Sequence, residues 1–372
     1  MNRCNVAIIG AGSVGLAIAR RLSAMEEGIV LLERHATFGQ DASTRNSEVI
    51  HGGMYYPTGS LKARLCVEGN RMLYEICAKH GIPHRKTGKL IVANTSDERS
   101  KIEEIFQQGE INGVTNLRLI DEPEIRQLEP HIKARWALLS PSSGIMDARV
   151  LMSFFEQEAI ANGVSVRYHH EVIGLEKDAG LFRITIRRET GKIEELFADV
   201  VINAAGLFAD KIAALTGIAI EKYHYNIHWV KGEYFEIERR HRGKMSHLIY
   251  PTPTPVSLGI HVRLRLDGSF ALGPNAIYID TINYDVDPQH LDDFYHDAKR
   301  YLPFLERIDL TPGIVGIRAK LQAEGEPVRD FVIRHEEDKG LPGLINLIGI
   351  DSPALTACPA IAEEVAGIYR NL

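Results

Sequence analysis

Asn5-Val6-Ala7-Ile8-Ile9-Gly10-Ala11-Gly12-Ser13-Val14-Gly15 decides how this chain begins to fold. Asn5 to Ile9 is short, β-branched and continuously apolar, the pattern of a strand buried on both faces of a parallel sheet. Gly10-x-Gly12-x-x-Gly15 follows. An amphipathic helix is then predicted from Ser13 to Met25, stopped before Gly28. Ile29-Val30-Leu31-Leu32 makes a second buried strand that runs into Glu33 and Arg34. Gly10 allows the tight turn, Gly12 lets a pyrophosphate approach the backbone, and Gly15 lets helix and strand pack closely. The helix N-terminus offers amide groups and a positive dipole end to phosphates. Glu33 falls 18 residues after Gly15, where a carboxylate accepts ribose hydroxyls. The glycines alone are a weak signal. With strand, helix, strand and acid in order they predict a dinucleotide site, and Glu33 disfavours a 2′-phosphate.

The same run is not expected to be a secretory signal or a membrane span. No basic segment precedes Val6–Ala19, Arg20-Arg21 follow it, and 14 residues do not cross a bilayer. No other stretch reaches 18 apolar residues, so no transmembrane segment is expected, and a cytoplasmic protein, with room for a peripheral membrane contact, is the expectation. The chain has 372 residues, 45% hydrophobic and 25% charged, enough for two or three domains with a large core. Its charge of -6 argues against nucleic acid as a partner. Four scattered cysteines (Cys4, Cys66, Cys77, Cys358) form no metal or disulfide framework.

Two further segments read as cofactor elements. Ser43-Thr44-Arg45-Asn46-Ser47 is polar and leads into His51-Gly52-Gly53-Met54-Tyr55, ahead of a helix predicted over 61–80. Near the other end, Leu344–Ile348 is a buried strand entering Gly349-Ile350-Asp351-Ser352-Pro353-Ala354-Leu355-Thr356 and a final helix to Tyr369. Binding pieces at both ends of the chain suit FAD, a long cofactor, better than NAD.

Here the sequence resembles the glycine/D-amino-acid-oxidase-like FAD-dependent oxidoreductases, and within them the L-2-hydroxyglutarate dehydrogenase and oxidase family. The likeness is carried by GAGSVGLAIAR, RNSEVIHGGMYYPTGSLKARLCVEG, TGKLIVA, GIMDARVL, VINAAGLFAD, LIYPTP, LGIHVRLRLDGSFALGPNA, GIRAKL and LIGIDSPALTACPAIAE, in the family's order from residue 6 to 366. One departure is Arg45, where many relatives carry His. The resemblance implies an α/β fold, with a Rossmann-like FAD-binding domain interleaved with an antiparallel-sheet α+β substrate domain that roofs the flavin. The first would collect 1–84, 145–224 and 325–372, the second 85–144 and 225–324. It also implies that Val172 reads the adenine through its backbone.

Local patterns agree with this layout. Strands are predicted over 164–170, 172–176, 181–187 and 198–203, with turns at Asp178-Ala179-Gly180 and Thr190-Gly191. Asn203-Ala204-Ala205-Gly206 leaves a strand for a helix, so Ala205 and Gly206 are expected to approach the cofactor. Residues 226–285 alternate as an antiparallel sheet does. Residues 97–130 read as a charged, solvated helical cap.

The implied reaction is oxidation of an L-2-hydroxy acid, 2-hydroxyglutarate foremost, with hydride transfer to flavin N5 and a histidine base. His51 and His261 are the candidate bases, because imidazole titrates near neutrality. The sequence leaves open which is the base and which the hydrogen-bond donor. Arg318 is the expected carboxylate clamp, since a guanidinium binds carboxylate through two parallel bonds. Arg263 and Lys320 lie two residues from His261 and Arg318, so each pair shares a strand face. All four are expected on neighbouring positions of one sheet face, enough cations for a diacid. Tyr55 and Tyr250, and less so Tyr278, add hydroxyls. Ser352 to Thr356 would aim amides at the flavin edge where charge develops. No metal site is expected, and oxygen, a quinone or an electron-transfer protein all remain possible electron acceptors. The competing readings are an amino-acid or amine oxidase of the same superfamily, a non-catalytic flavin-binding or tRNA-modification-type protein, and an NAD-dependent dehydrogenase.

Overall fold

The computed structural model describes residues 2–253 and 259–372. The part of the predicted 226–285 sheet that falls on 254–258 lies outside them. The chain forms two compact units, Met1–Thr44 with Ala148–Trp229 and Arg318–Leu372, and Arg45–Asp147 with Val230–Ile317. Compactness therefore groups 45–84 with the second unit, whereas the expected cofactor domain includes them.

In the first unit a core of parallel strands carries the fold. Arg3–Ile9 lies between Ile29–Leu32 and Ile193–Asn203, and pairs in parallel with both. Leu344–Ile348 extends the sheet beside Asn203, and Ser165–Arg167 beside Ile29–Leu32. The aligned residues Leu32, Ile9, Asn203 and Asn346 put the carboxyl ends of four adjacent strands at one edge. The strands are apolar on both faces because helices cover the sheet. Ser13–Leu22 packs against Ala148–Ala161 and against Ala354–Tyr369. The predicted first helix ends at Leu22, not Met25. The middle strands form an antiparallel meander of His170–Asp178, Leu181–Arg188 and Ile193–Asn203, turning at Ala179 and Gly180 (φ +47° and +89°).

Among the described residues the second unit holds three sheets. His261–Leu264 pairs with Phe270–Gly273, which pairs with His228–Ile237; Leu310–Lys320 also pairs with that last strand. One strand from the 226–285 segment leaves this group. Leu248–Pro251 pairs in parallel with Lys89–Ala93 in a sheet completed by Trp136–Ser140 and Arg118–Asp121. The expected single antiparallel sheet is thus corrected at 248–251. The 97–130 segment contains the helix Ser96–Ile111, opened by a Thr95/Glu98 capping box and mostly exposed, and the short helix Glu122–Leu128. The helix Leu61–His80 is capped by the Ser60 side chain and closed by Gly81 (φ +67°). Among the described residues no helix is long and apolar enough to cross a membrane.

Candidate active site

The first unit builds a nucleotide cradle at the strand ends. Gly10 has φ +106°, and a Cβ there would lie 2.6 Å from the Ala204 carbonyl oxygen. A Cβ on Gly15 would lie 2.0 Å from the Gly10 carbonyl oxygen, so only glycine lets this helix sit so close to the strand. Ser13 and Val14 begin the helix with Gly12 as its cap, and no acid occupies the first turn. The positive helix end is therefore not neutralised by its own sequence.

Glu33 is buried at the end of its strand. Its two carboxylate oxygens accept from the amides of Ala11 (2.8 Å) and His35 (2.9 Å), which leaves further lone pairs for a ligand. Ser43 Oγ accepts from the Ser13 amide at 3.0 Å, and Thr44 donates to the Gly39 carbonyl at 2.6 Å. Arg34 is engaged by Asp41 (2.8 Å) and lies over the Phe208 ring. Ladder register shifts just after Val172, a bulge that re-aims local backbone groups.

Asn203 closes the next strand end. Its amide donates to the Ala209 carbonyl and to Asn346 Oδ1, while the Ala205 amide donates back to Asn203. Around Gly206 a Cβ would meet nothing within 4 Å, so this backbone borders open space. The fourth strand end turns through Gly349 into the helix Ala354–Tyr369, capped by Pro353 with no side-chain cap and no acid in the first turn. Ser352, Leu355 and Thr356 lie on this turn, with Thr356 fully buried. The glycines, Glu33, Ala205, Gly206 and 349–356 thus gather where four parallel strands end. That is where open α/β sheets bind ligands. Spaces a Cβ would fill and an unneutralised helix end fit a pyrophosphate.

The second unit holds a different cluster. Lys89 opens its strand and is fully buried. Its Nζ lies 3.4 Å from His51 Nδ1, 4.0 Å from the Tyr250 ring centre and 5.4 Å from that of Tyr55. Lys89 and Tyr250 share a face because Ile91, two residues on from Lys89, pairs with Tyr250 in parallel register. Tyr250 stacks on His261, ring centres 3.8 Å apart and 15° from parallel. Among the described residues the Tyr55 and Tyr250 hydroxyls are buried without a hydrogen-bond partner. His51 keeps part of its surface open, and Asn70 holds its carbonyl at 2.8 Å.

Burial, then Lys89, then His261 hold the His51 imidazole well below its usual range, so it is neutral at pH 7. Burial brings Lys89 down from 10.5 to about 7, against a small opposing pull from Cys66. Burial also pushes the Tyr55 and Tyr250 hydroxyls up, so both stay protonated.

His261 Nδ1 lies 3.1 Å from the Gly259 carbonyl oxygen. A carbonyl only accepts, so Nδ1 carries the hydrogen and Nε2 of neutral His261 carries the lone pair.

The other expected substrate and cofactor residues are divided between the two units. Arg263, expected as an additional cation for a diacid, is buried and paired with the Glu48 carboxylate at 3.0 Å. Arg318 and Lys320 are half-buried and belong to the first unit. They do not neighbour His261 and Arg263 on a sheet face, because the strands Phe270–Gly273 and His228–Ile237 intervene. Arg45, Asn46 and Ser47 belong to the second unit. There Arg45 lies over the Tyr284 ring, Asn46 accepts from the Glu48 amide, and Ser47 accepts from the Tyr234 hydroxyl. Lys89 was not singled out by sequence reasoning. Its signal was a lysine heading the apolar run Leu90-Ile91-Val92-Ala93.

A glycine turn at the end of a parallel strand, with a carboxylate at the end of the next, defines a nucleotide-binding fold. Comparison with known proteins gives the particular family. The model of the FAD-dependent oxidoreductase family matches residues 5–368, and the chain belongs to that family. The chain is 36% identical to the mitochondrial L-2-hydroxyglutarate dehydrogenase of Arabidopsis thaliana, covering 99% of this chain and 83% of that protein. It is 29% identical to a glycerol 3-phosphate dehydrogenase of Caloramator mitchellensis, over 99% of this chain and 74% of that one. Among solved structures, FAD-bound L-alpha-glycerophosphate oxidase from Mycoplasma pneumoniae superposes with a TM-score of 0.88 at 25% identity, covering 100% of this chain and 95% of that one. FAD is the cofactor, and the strand-end cradle of the first unit fits its nucleotide half.

Proposed function

We propose that this protein oxidises an L-2-hydroxy acid, 2-hydroxyglutarate foremost, to the 2-oxo acid. The relatives named L-2-hydroxyglutarate dehydrogenase support the substrate class, since they match nearly the whole chain at 30% identity and above. The observation that carries the chemistry is the His261 Nδ1–H bond to the Gly259 carbonyl. It leaves Nε2 of the neutral ring as the lone-pair nitrogen, as a general base requires.

In this reading His261 Nε2 takes the hydroxyl proton while the Cα–H bond breaks. Bound flavin supplies the acceptor for that hydride equivalent. His51, neutral and beside a cation, serves as a hydrogen-bond donor rather than a base. The Tyr55 and Tyr250 hydroxyls, which stay protonated, add donors for a substrate oxygen. Arg318 and Lys320 are the cations we assign to the substrate carboxylates, a diacid needing more than one. The Nδ1–H bond to a fixed carbonyl holds the His261 ring in place and strengthens its proton affinity as charge develops.

The test is anaerobic mixing of the yellow holoenzyme with L-2-hydroxyglutarate, D-2-hydroxyglutarate, sn-glycerol 3-phosphate, glycine and D-alanine. Bleaching of the flavin absorbance by L-2-hydroxyglutarate at the lowest concentration is expected. Bleaching by glycerol 3-phosphate or by the amino acids, with none from L-2-hydroxyglutarate, overturns the assignment.

A further inference from the structure

We propose that Lys89 is a positioning residue. It donates to His51 Nδ1, fixes His51 as the Nε2–H tautomer, and so makes it a hydrogen-bond donor to the substrate. This rests on the reading of the two histidines given above. Three observations carry it.

The first is contact. Lys89 Nζ lies 3.4 Å from His51 Nδ1, and in its ammonium form, which prevails below about pH 7, it can only donate. A nitrogen that accepts that bond holds no hydrogen in the neutral ring, so the hydrogen sits on Nε2.

The second is the company Lys89 keeps. The groups facing it are His51 from the glycine-rich loop, Tyr55 from the same loop, Cys66 from the helix Leu61–His80 and Tyr250 from the strand Leu248–Pro251. None is an anion at neutral pH, since burial raises the Cys66 thiol as well as both tyrosines. A lysine kept only for stability would be expected to bury with a carboxylate, because a lone buried cation is costly. The Tyr250 ring at 4.0 Å softens that cost only in part.

The third is contrast between the imidazoles. His261 is fixed by a carbonyl as Nδ1–H, and His51 is addressed by a donor at the same atom. The two rings are therefore set in opposite tautomers, one presenting a lone pair at Nε2 and the other a hydrogen. An acid–base pair acting on one alcohol needs that difference: one nitrogen removes the proton while the other stabilises the oxygen. Lys89 also repels a proton from His51, which keeps it from competing with His261 as the base.

The experiment labels histidine with 15N in the holoenzyme and reads the ring nitrogens by NMR, with His51→Gln identifying the His51 signals. Wild type should show Nδ1 of His51 as the lone-pair nitrogen and Nε2 as the protonated one. In Lys89→Met the pattern should invert, mix or give the imidazolium. Lys89→Arg, which keeps a donor, should restore the wild-type pattern at least in part. With the substrate that bleaches the flavin, Lys89→Met should lower kcat tenfold or more and leave KM within about twofold, since the lost donor acts mainly on the developing charge. A His51 pattern unchanged in Lys89→Met, or an Nδ1–H His51 in wild type, overturns the proposal. So does loss of flavin and of circular dichroism in both variants, which would make Lys89 a structural residue. The tautomer readout needs no substrate, so it stands or falls separately from the choice of hydroxy acid.

Discussion

Replacing Lys89 by methionine keeps the unbranched stem and removes the buried amine. Its effect on stability follows from the depression of the Lys89 pKa from 10.5 to about 7. Each unit of pKa is worth 1.36 kcal/mol, so the native state disfavours the charged form by on the order of 5 kcal/mol. Above pH 10.5 both native and unfolded chains are neutral there, and no cost applies. As pH falls from 10.5 to about 7 the unfolded chain gains a proton that the native chain lacks, and native stability drops. Below about 7 the whole cost is present. The methionine variant has no such titration. Its advantage over wild type should therefore be largest at pH 6 and smaller by roughly 2.5 kcal/mol at pH 9. Loss of the cation–π contact with Tyr250 lowers the advantage by about 1–2 kcal/mol at pH 6 without changing this direction. Unfolding entropy near 2.1 cal/mol/K per residue over 372 residues converts the pH-dependent part to a gap in Tm of roughly 3 °C. Thermal unfolding followed by circular dichroism at both pH values measures it, and comparing the variants cancels every titrating group that Lys89 does not touch. A Tm difference independent of pH, or one that widens toward pH 9, would refute the placement of an unmatched lysine in the core.

Three other substitutions probe the two sites. Gly15→Ala drives a methyl to 2.0 Å from the Gly10 carbonyl oxygen, a backbone atom that cannot swing away, so the purified variant should be colourless, read as the ratio of flavin to protein absorbance. His261→Gln removes the proposed base and should cut kcat/KM by about 10²–10⁴-fold while the flavin stays bound, measured by stopped-flow reduction. Tyr250→Phe deletes a buried hydroxyl that has no hydrogen-bond partner among the described residues. The protein should become more stable by about 1 kcal/mol or more, while KM for the hydroxy acid rises; a loss of stability would mean the hydroxyl is satisfied without substrate.

What the sequence made legible was set by short-range physics. The turn Gly10–Gly15 and the strands beside it were readable because each constraint lies within a few residues of its cause. The same holds for the helix Leu61–His80, whose Ser60 cap and left-handed Gly81 mark both ends, and for the strand Leu344–Ile348. What it could not supply was strand order. His261 and Arg318 were expected to be neighbours, yet two strands separate theirs. The ion pair of Arg263 with Glu48 was not legible either, because the two lie 215 residues apart in the chain.

The same limit explains why Lys89 was passed over. In the sequence it heads an apolar run, where a lysine usually ends a strand and turns its ammonium to water. Only the parallel pairing of Leu248–Pro251 with Lys89–Ala93 brings Tyr250 alongside it. That pairing makes the position a buried one with aromatic and imidazole neighbours. Each of those neighbours, His51, Tyr250 and His261, had been chosen on local motif context. The group that relates them is the one whose context is entirely tertiary. A histidine pair in one tautomer would be two bases or two donors; a lysine beside one ring and a carbonyl beside the other makes them different. The asymmetry we propose for the site therefore rests on the partners of its histidines, and those partners are set by strand pairing and loop geometry.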